Sequence, residues 1–412
     1  MNSNILSIQD PEIEEIIKQE DSRQENELEL IASENYASSA VRSVLASVLG
    51  NKYSEGYPGK RYYGGNQNID ELELLAISRA KELFEAEHVN VQPLSGSPAN
   101  AAVYMAFLEP GDKVLGLRLD HGGHLSHGHK VNFSGRLYDF IQYEVDAETG
   151  LINMEEVRKI ALKEKPKMIV AGFSAYSREI DWQAFQDIAT EVGAISFADI
   201  AHVAGLIAAK QIKNPVPIFD VVSTTTHKTL RGPRGAIIMC KEKYAKQIDR
   251  AVFPGMQGGP HNNMTAAKAV AFGEALLPEF KSYSQQVIKN AQKLAELLIE
   301  RGYKIVSGGT DNHLLVIDLS PRGLSGKEAE QTLEKVGISV SRSTIPNDPK
   351  PPMNPSGLRI GSAAITTRGM KEEEMIIIVD LIDEAIDSKD NDDALKIIKT
   401  KVEKFCLRFP VY

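Results

Sequence analysis

Lys228 stands in T-T-T-H-K-T-L-R-G-P-R-G at 224–235, directly after an apolar run. A lysine in a Thr-rich loop at a strand end can serve as a Schiff-base nucleophile, although most lysines taken alone are solvated surface cations. Asp199 changes that balance. It closes the run A-I-S-F-A-D at 194–199, which ends 29 residues before the lysine and is followed by Ile200-Ala201-His202. Alone, Asp199 would be an ordinary cap. Paired with such a lysine it suits pyridoxal phosphate, the acid facing the pyridinium nitrogen and the lysine forming the imine.

That cofactor also needs an anion site. Ser95, Gly96 and Ser97 lie between the strand-like segment Val89–Val91 and a helical segment running to Phe107. Small residues at a helix start expose backbone N–H groups and add two hydroxyls, which together make an anion cup. A plain N-cap turn reads the same way when that segment is taken alone. The Gly258-Gly259 pair in F-P-G-M-Q-G-G-P is equally weak by itself. His121, His124, His127 and His129 crowd into nine residues, H-G-G-H-L-S-H-G-H, but no Cys or acidic companion completes a zinc-type ligand set. No metal is expected. An imidazole stacked on a flat cofactor is the better use for one of them.

Elements of fixed geometry must hold these groups. The 412 residues are enough for two or three domains. Between about 70 and 270, helices at 69–85 and 97–107 alternate with short apolar strands at 113–117, 167–173, 194–199 and 219–223. Such alternation predicts a mostly parallel sheet covered by helices, with ligands beyond the carboxyl ends of its strands. Residues 10–30 read as one acidic helix opened by Asp10 and Pro11, and residues 50–68 as a long functional loop rich in Gly and Tyr. Further on, Val287, Ile288, Ala291, Leu294, Ala295 and Leu298 share a helical face closed by Gly302. A strand at His313–Leu319, a capping box at Ser325 and Glu328, a strand near 338–341 and helices near 370–386 and 391–406 complete a smaller α/β unit. The expected division is an N-terminal helical arm at 1–30, a large cofactor-binding domain at 31–278 and a small C-terminal domain at 279–412.

Composition narrows the function class. Lys plus Arg total 47 against 56 Asp plus Glu, a net charge of −9, which argues against coating nucleic acid. Cys240 and Cys406 are the only cysteines, so neither a disulfide scaffold nor a cysteine zinc module is expected. No run approaches the roughly 18 apolar residues of a membrane span. The first 30 residues hold nine acids against Lys18 and Arg23, unlike a secretory or mitochondrial leader. A cytoplasmic protein with no membrane partner is the expectation.

Longer motifs carry a family resemblance. They are L-I-A-S-E-N-Y at 30–36, N-K-Y-S-E-G-Y-P-G-K-R-Y-Y-G-G at 51–65, V-L-G at 114–116, H-G-G-H-L-S-H-G at 121–128 and V-N-F-S-G at 131–135. The Lys228 segment, S-G-G-T-D-N-H at 307–313 and R-F-P-V-Y at 408–412 continue the series. In this order they resemble serine hydroxymethyltransferase almost end to end.

The resemblance implies an α/β fold of type I among pyridoxal phosphate enzymes, aspartate aminotransferase-like. It has a large domain with a mostly parallel sheet and a smaller C-terminal α/β domain. It implies that serine and tetrahydrofolate are interconverted with glycine and 5,10-methylenetetrahydrofolate. Lys228 would then hold pyridoxal phosphate, Asp199 would pair its ring nitrogen and His124 would stack on its face. Ser95, Gly96 and Ser97 would bind the phosphate, with Ser174 near the ring oxygen and Thr225, His202 and His227 around the ring and lysine. Arg359, in G-L-R-I-G, would clamp the amino acid carboxylate with Ser33 assisting. Tyr53, Glu55, Tyr63 and the Gly258-Gly259 amides would close the site from a second subunit of a homodimer, or of a tetramer, with Glu55 as proton shuttle. Leu119 and Leu125 would wall the folate.

Several positions depart from the family pattern: Leu94, Pro98, Met256, Asn263, the P-P-M-N-P-S-G run at 351–357 and Ser341-Arg342-Ser343. Ser343 stands where the family has an Asn that helps hold the pterin. Two rivals follow. One is a folate-independent aldolase or transaldolase on 3-hydroxy amino acids, or a relative acting on an α-methyl amino acid such as α-methylserine. The other, a catalytically silent paralogue, would need a loss among Lys228, Asp199 and Arg359, and all three are present.

Overall fold

The structure is a computed structural model that describes residues 3–412. Seven strands build its main sheet: β1 (His88–Asn90), β2 (Lys113–Leu117), β3 (Asp139–Tyr143), β4 (Met168–Gly172), β5 (Ile195–Asp199), β6 (Val221–Thr225) and β7 (Ala236–Cys240). Across the sheet they run β1-β7-β6-β5-β4-β2-β3. β7 is antiparallel to both neighbours, and the other pairs are parallel.

Alternate residues of the central strands feed two cores. Val114, Met168, Val170, Phe197 and Val221 bury on one face, and Leu115, Ile169, Ala171, Ala198 and Val222 on the other. Both faces are dry because helices cover both, the usual condition of parallel strands. The helices expected at 69–85 and 97–107 are Gln67–Phe84 and Gly96–Phe107. Neither β3 nor β7 was anticipated. β7 follows the Lys228 loop so closely that it returns antiparallel instead of crossing over behind a helix.

A second unit holds a four-stranded antiparallel sheet. Its strands are β8 (Lys304–Ile305), β9 (Leu314–Asp318), β10 (Ser341–Ser343) and β11 (Gly357–Gly361), in the order β8-β9-β11-β10. The long helix Pro278–Glu300 serves both units: Val287 buries in the core of the main sheet, while Leu294, Ala295 and Leu298 bury in the C-terminal core. Gly302 follows with φ +79°, and Ser325 and Glu328 form the expected capping box.

Three expectations need correction. The acidic helix, capped by Asp10 as expected, stops at Asn26, and Leu28–Glu29 instead pairs in parallel with Ile338–Ser339. Leu28 and Leu30 are completely buried, each contributing about 1.5–3 kcal/mol, and that burial favours an extended segment over more helix. The strand expected near 338–341 is accordingly split, Ile338–Ser339 going to this pairing and Ser341–Ser343 to the small sheet. Finally, residues 50–68 are more ordered than a loop. They contain a short hairpin, Gly56–Tyr57 with Lys60–Arg61, held by the ion pairs of Arg61 with Asp70 at 2.8 Å and Glu73 at 2.7 Å. Among the described residues, no helix is long and apolar enough to cross a membrane.

Candidate active site

Beyond the carboxyl ends of β4, β5 and β6 the chain encloses a cavity of about 280 Å³. It brings together Ser33, Ser95, Gly96, Ser97, His124, Ser174, Asp199, His202, Thr225, His227, Lys228 and Arg359. Close strand packing makes this possible. Gly172 faces Asp199 across β4 and β5, and a Cβ there would sit 2.3 Å from the Asp199 carbonyl oxygen.

Asp199 is buried and heavily supported. His127 Nε2 lies 3.1 Å from Oδ2, Asn100 Nδ2 donates to the same oxygen at 2.8 Å, and the Ala201 N–H donates to Oδ1 at 3.1 Å. Burial opposes its charge, but the hydrogen bond and charge of His127, the charge of His124 and the Asn100 bond outweigh it. The carboxyl is held well below its usual range.

Lys228 is fixed through its backbone, whose carbonyl accepts from Asn35 Nδ2 at 2.9 Å. Burial brings its amine down to about 8; Asp199 resists, and Arg359 and Arg234 push the same way as burial. His227 Nε2 is 3.4 Å from Arg234 Nη1, and burial, with Arg234 and Lys228, takes His227 down to about 3. His124 Nδ1 is 2.7 Å from Ser126 Oγ; burial, then His127, lowers it to about 4.

Arg359 points from β11 to the loop that follows β4. Nη1 donates to the Ser174 carbonyl at 2.8 Å and to its hydroxyl at 3.2 Å, and Nε donates to Ser341 Oγ at 3.3 Å. Burial alone lowers its guanidinium to about 10. No acid balances this cation among the described residues. At the opposite side, Ser95 sits at the N-cap of helix Gly96–Phe107 without spending its hydroxyl on a cap. A Cβ on Gly96 would meet Thr225 Cγ2 at 2.8 Å, so glycine lets the helix start press against β6.

The remaining expected residues lie outside this cavity. Glu55, Tyr53, Tyr63, Gly258 and Gly259 form a second cluster. Tyr63 Oη donates to Glu55 Oε2 at 3.4 Å, the Tyr53 and Tyr63 rings meet edge-on at 5.6 Å, and the Gly258-Gly259 backbone passes against Glu55 and Tyr53. Glu55 and Gly258 line an open pocket of about 460 Å³. The charge of Glu55 raises the Tyr63 phenol above its ordinary value. Leu119 and exposed Leu125 flank the His124 loop, and neither lines the cavity. Ser343, on β10, spends its hydroxyl on the Thr344 carbonyl at 3.1 Å, and Arg342 beside it pairs with Glu330 at 3.3 Å.

The four clustered histidines separate into different jobs. His121 Nδ1 accepts from Val145 N–H and His129 Nδ1 from Val131 N–H, while His124 and His127 belong to the cavity and its floor. His124, His127 and Asp199 bring possible ligand atoms within 4.8 Å of one another, each already engaged in the hydrogen bonds described. Sequence reasoning missed Asn100, Ser126, Ser341 and His313, which touch the expected residues from distant parts of the chain. It also missed Lys268, whose buried ammonium donates to the carbonyls of Val91, Pro93 and Ala236 and so ties the approach to Ser95 to the return from Lys228.

This donor set fits pyridoxal phosphate. A carboxylate held negative faces the cavity floor, a softened lysine amine stands nearby and an uncapped helix start offers an anion cradle. His202 Nε2 and His227 Nδ1, on two residues that line the cavity, are buried polar atoms with no partner among the described residues, which leaves both free for a ligand.

The sequence profile described as "Serine hydroxymethyltransferase" matches residues 6–382. The chain is 56% identical over 405 residues to the serine hydroxymethyltransferase of Acinetobacter radioresistens, spanning 98% of this chain and 97% of that one. The serine hydroxymethyltransferase of Alkalilimnicola ehrlichii is likewise 56% identical over 405 residues, with the same two coverages.

Proposed function

The chain belongs to the serine hydroxymethyltransferase family, and from that premise we propose how its own residues carry the reaction. It is a pyridoxal phosphate-dependent glycine hydroxymethyltransferase, interconverting L-serine and tetrahydrofolate with glycine and 5,10-methylenetetrahydrofolate. Pyridoxal phosphate, when bound, draws electrons from the amino acid's α-carbon so that the bond to the hydroxymethyl carbon can break.

Lys228 is the amine that attaches the cofactor, since an amine lowered to about 8 is far more often neutral near pH 8 than an ordinary lysine. Asp199 would hold a proton on the ring nitrogen, and His127 and Asn100 keep that carboxylate charged and aimed. Ser95, Gly96 and Ser97 bind the phosphate at a helix start. His124, Ser174, His202, His227 and Thr225 line the same cavity and would hold the cofactor's ring, His124 by stacking and the others by their polar groups. Arg359, assisted by Ser33, binds the amino acid carboxylate and so orients the bond to be broken. The observation that carries this reading is one cavity that joins Lys228, Asp199 and an Arg359 that has no acidic partner among the described residues.

Glu55 moves a proton at the substrate hydroxyl oxygen, with Tyr53, Tyr63 and the Gly258-Gly259 amides beside it. Because this group lies outside the Lys228 cavity of its own chain, we assign it to the site of a second copy, making the enzyme a homodimer or a tetramer built on that pair. Leu119, Leu125 and Ser343 are assigned to the folate. The two buried, unpaired thiols of Cys240 and Cys406 agree with work in the reducing cytoplasm. The proposed boundary between large and small domains, 278/279, falls at the start of the helix that feeds both cores.

Borohydride reduction followed by peptide mapping tests the attachment; a cofactor label on Lys241 or Lys243 instead of Lys228 would end it. Mixing Lys228→Ala with Glu55→Gln protein tests sharing. Some mixed dimers then contain one undamaged site, so partial activity returns. No recovery after proven subunit exchange contradicts a shared site.

A further inference from the structure

His202 and His313 form a buried pair, ring centroids 5.4 Å apart and 27° from parallel, and Phe173 also stacks on His202. His202 lines the Lys228 cavity, whereas His313 lies outside it, at the head of β9. Their hydrogen bonds determine where the protons sit. His313 Nε2 is 3.2 Å from His202 Nδ1 and 3.1 Å from the carbonyl oxygen of Ala32. A carbonyl oxygen has no proton to give, so His313 Nε2 must carry one. That N–H, shared between two acceptors, leaves His202 Nδ1 as a lone pair. A neutral His202 must then carry its own proton on Nε2. Burial, reinforced by the positive charges of Lys228 and Arg359, keeps both rings neutral. Among the described residues, two ring nitrogens of the pair lack a partner: His313 Nδ1, the lone pair of that neutral ring, and His202 Nε2, the one on the ring that lines the cavity.

We infer that His313 is a positioning residue: its Nε2 proton fixes the Nε2–H form of His202 and so presents a neutral donor to an acceptor oxygen of the cofactor or amino acid in the cavity. This rests on the cavity being the pyridoxal phosphate site proposed above. The same proton also holds Ala32, next to Ser33 of the cavity wall, so one buried imidazole registers two sides of the site.

The test is nitrogen-15 NMR of protein labelled on histidine, with His202 assigned through His202→Asn. Spectra are recorded ligand-free, with pyridoxal phosphate alone and with glycine added. We expect a single His202 tautomer, protonated on Nε2. His313→Phe should lose that uniqueness, and His313→Gln should restore it, because the amide can donate to both acceptors. A downfield shift of the His202 Nε2 proton with pyridoxal phosphate alone places the acceptor on the cofactor; one appearing only with glycine places it on the amino acid. No shift in either sample, a His202 protonated on Nδ1, or an unchanged tautomer in folded His313→Phe overturns the inference. Should His313→Phe fail to fold, the wild-type tautomer and its ligand shifts decide the matter. A borohydride label on Lys228 is read separately, so failure here and failure of the cofactor site give different results.

Discussion

Arg359 Nη1 donates to the backbone carbonyl of Ser174 at 2.8 Å and to the Ser174 hydroxyl at 3.2 Å. One strand of the small unit thereby reaches a loop of the large one with a guanidinium that no acid balances among the described residues. We propose a substrate carboxylate as its partner. Charge-assisted pairs of this kind contribute roughly 1.5–3 kcal/mol, so Arg359→Ala should raise the serine requirement at least about tenfold. Arg359→Lys should rescue little, because a point charge cannot make the two-pronged contact. Serine titrations read by cofactor absorbance check this; unchanged serine affinity in Arg359→Ala would remove Arg359 from carboxylate binding.

Lys228 predicts a pH profile. Only the neutral amine attacks a carbonyl, and burial brings this amine to about 8 from an ordinary 10.5. Capture of pyridoxal phosphate by cofactor-free protein should therefore quicken as pH rises through about 8 and level off above it. Stopped-flow absorbance supplies the midpoint. A midpoint near 10.5 would mean that burial does not activate the lysine.

Glu29 predicts the sign of a stability change. Burial first, then neighbouring Glu34, raises its carboxyl well above the ordinary 4.5, against the Ile31 N–H at 2.9 Å and Arg23 at 3.8 Å. The folded chain keeps this proton after the unfolded chain has lost it, so stability falls as pH rises from 4.5 toward the raised value. Glu29→Gln keeps the acceptor for Ile31 and removes the titration. At about pH 8 it should be more stable by on the order of 1–3 kcal/mol, with little gain near pH 4. Denaturant melts at the two pH values decide; an equal gain at both would point to a cause other than this proton.

Ser343 predicts weak folate binding. Its hydroxyl is spent on Thr344 and its neighbour Arg342 on Glu330, so neither substitutes for a side-chain amide. Ser343→Asn should tighten tetrahydrofolate by about tenfold or more, from one regained hydrogen bond of roughly 1–3 kcal/mol. Folate-independent cleavage of allo-threonine should hardly change. Wild-type affinity already at low micromolar levels, with nothing added by Ser343→Asn, would refute the altered pocket.

Asp199 was legible because it closes a short apolar strand, and Lys228 because it follows another by three residues; a strand end fixes where the chain delivers such side chains. Arg359 was not legible from pattern; it lies inside β11, and only the family resemblance singled it out. The supports of the site were hidden for another reason. Asn100 reaches Asp199 from 99 residues away, and His202 meets His313 from 111 away, so no local spacing could disclose either pair. His127 stood in full view among four histidines, but its task depended on β5 lying beneath it. The strand at Leu28–Glu29 was lost because an acidic helical pattern runs into it, and its extended form depends on a partner about 310 residues later.

The most direct measurement follows serine labelled with carbon-13 in its hydroxymethyl group, by NMR, with and without tetrahydrofolate. With tetrahydrofolate the label should move into 5,10-methylenetetrahydrofolate while glycine accumulates, and Lys228→Ala should abolish the transfer. Label release from serine at the same rate without tetrahydrofolate, or transfer that survives Lys228→Ala, would contradict a folate-dependent hydroxymethyltransferase working through Lys228.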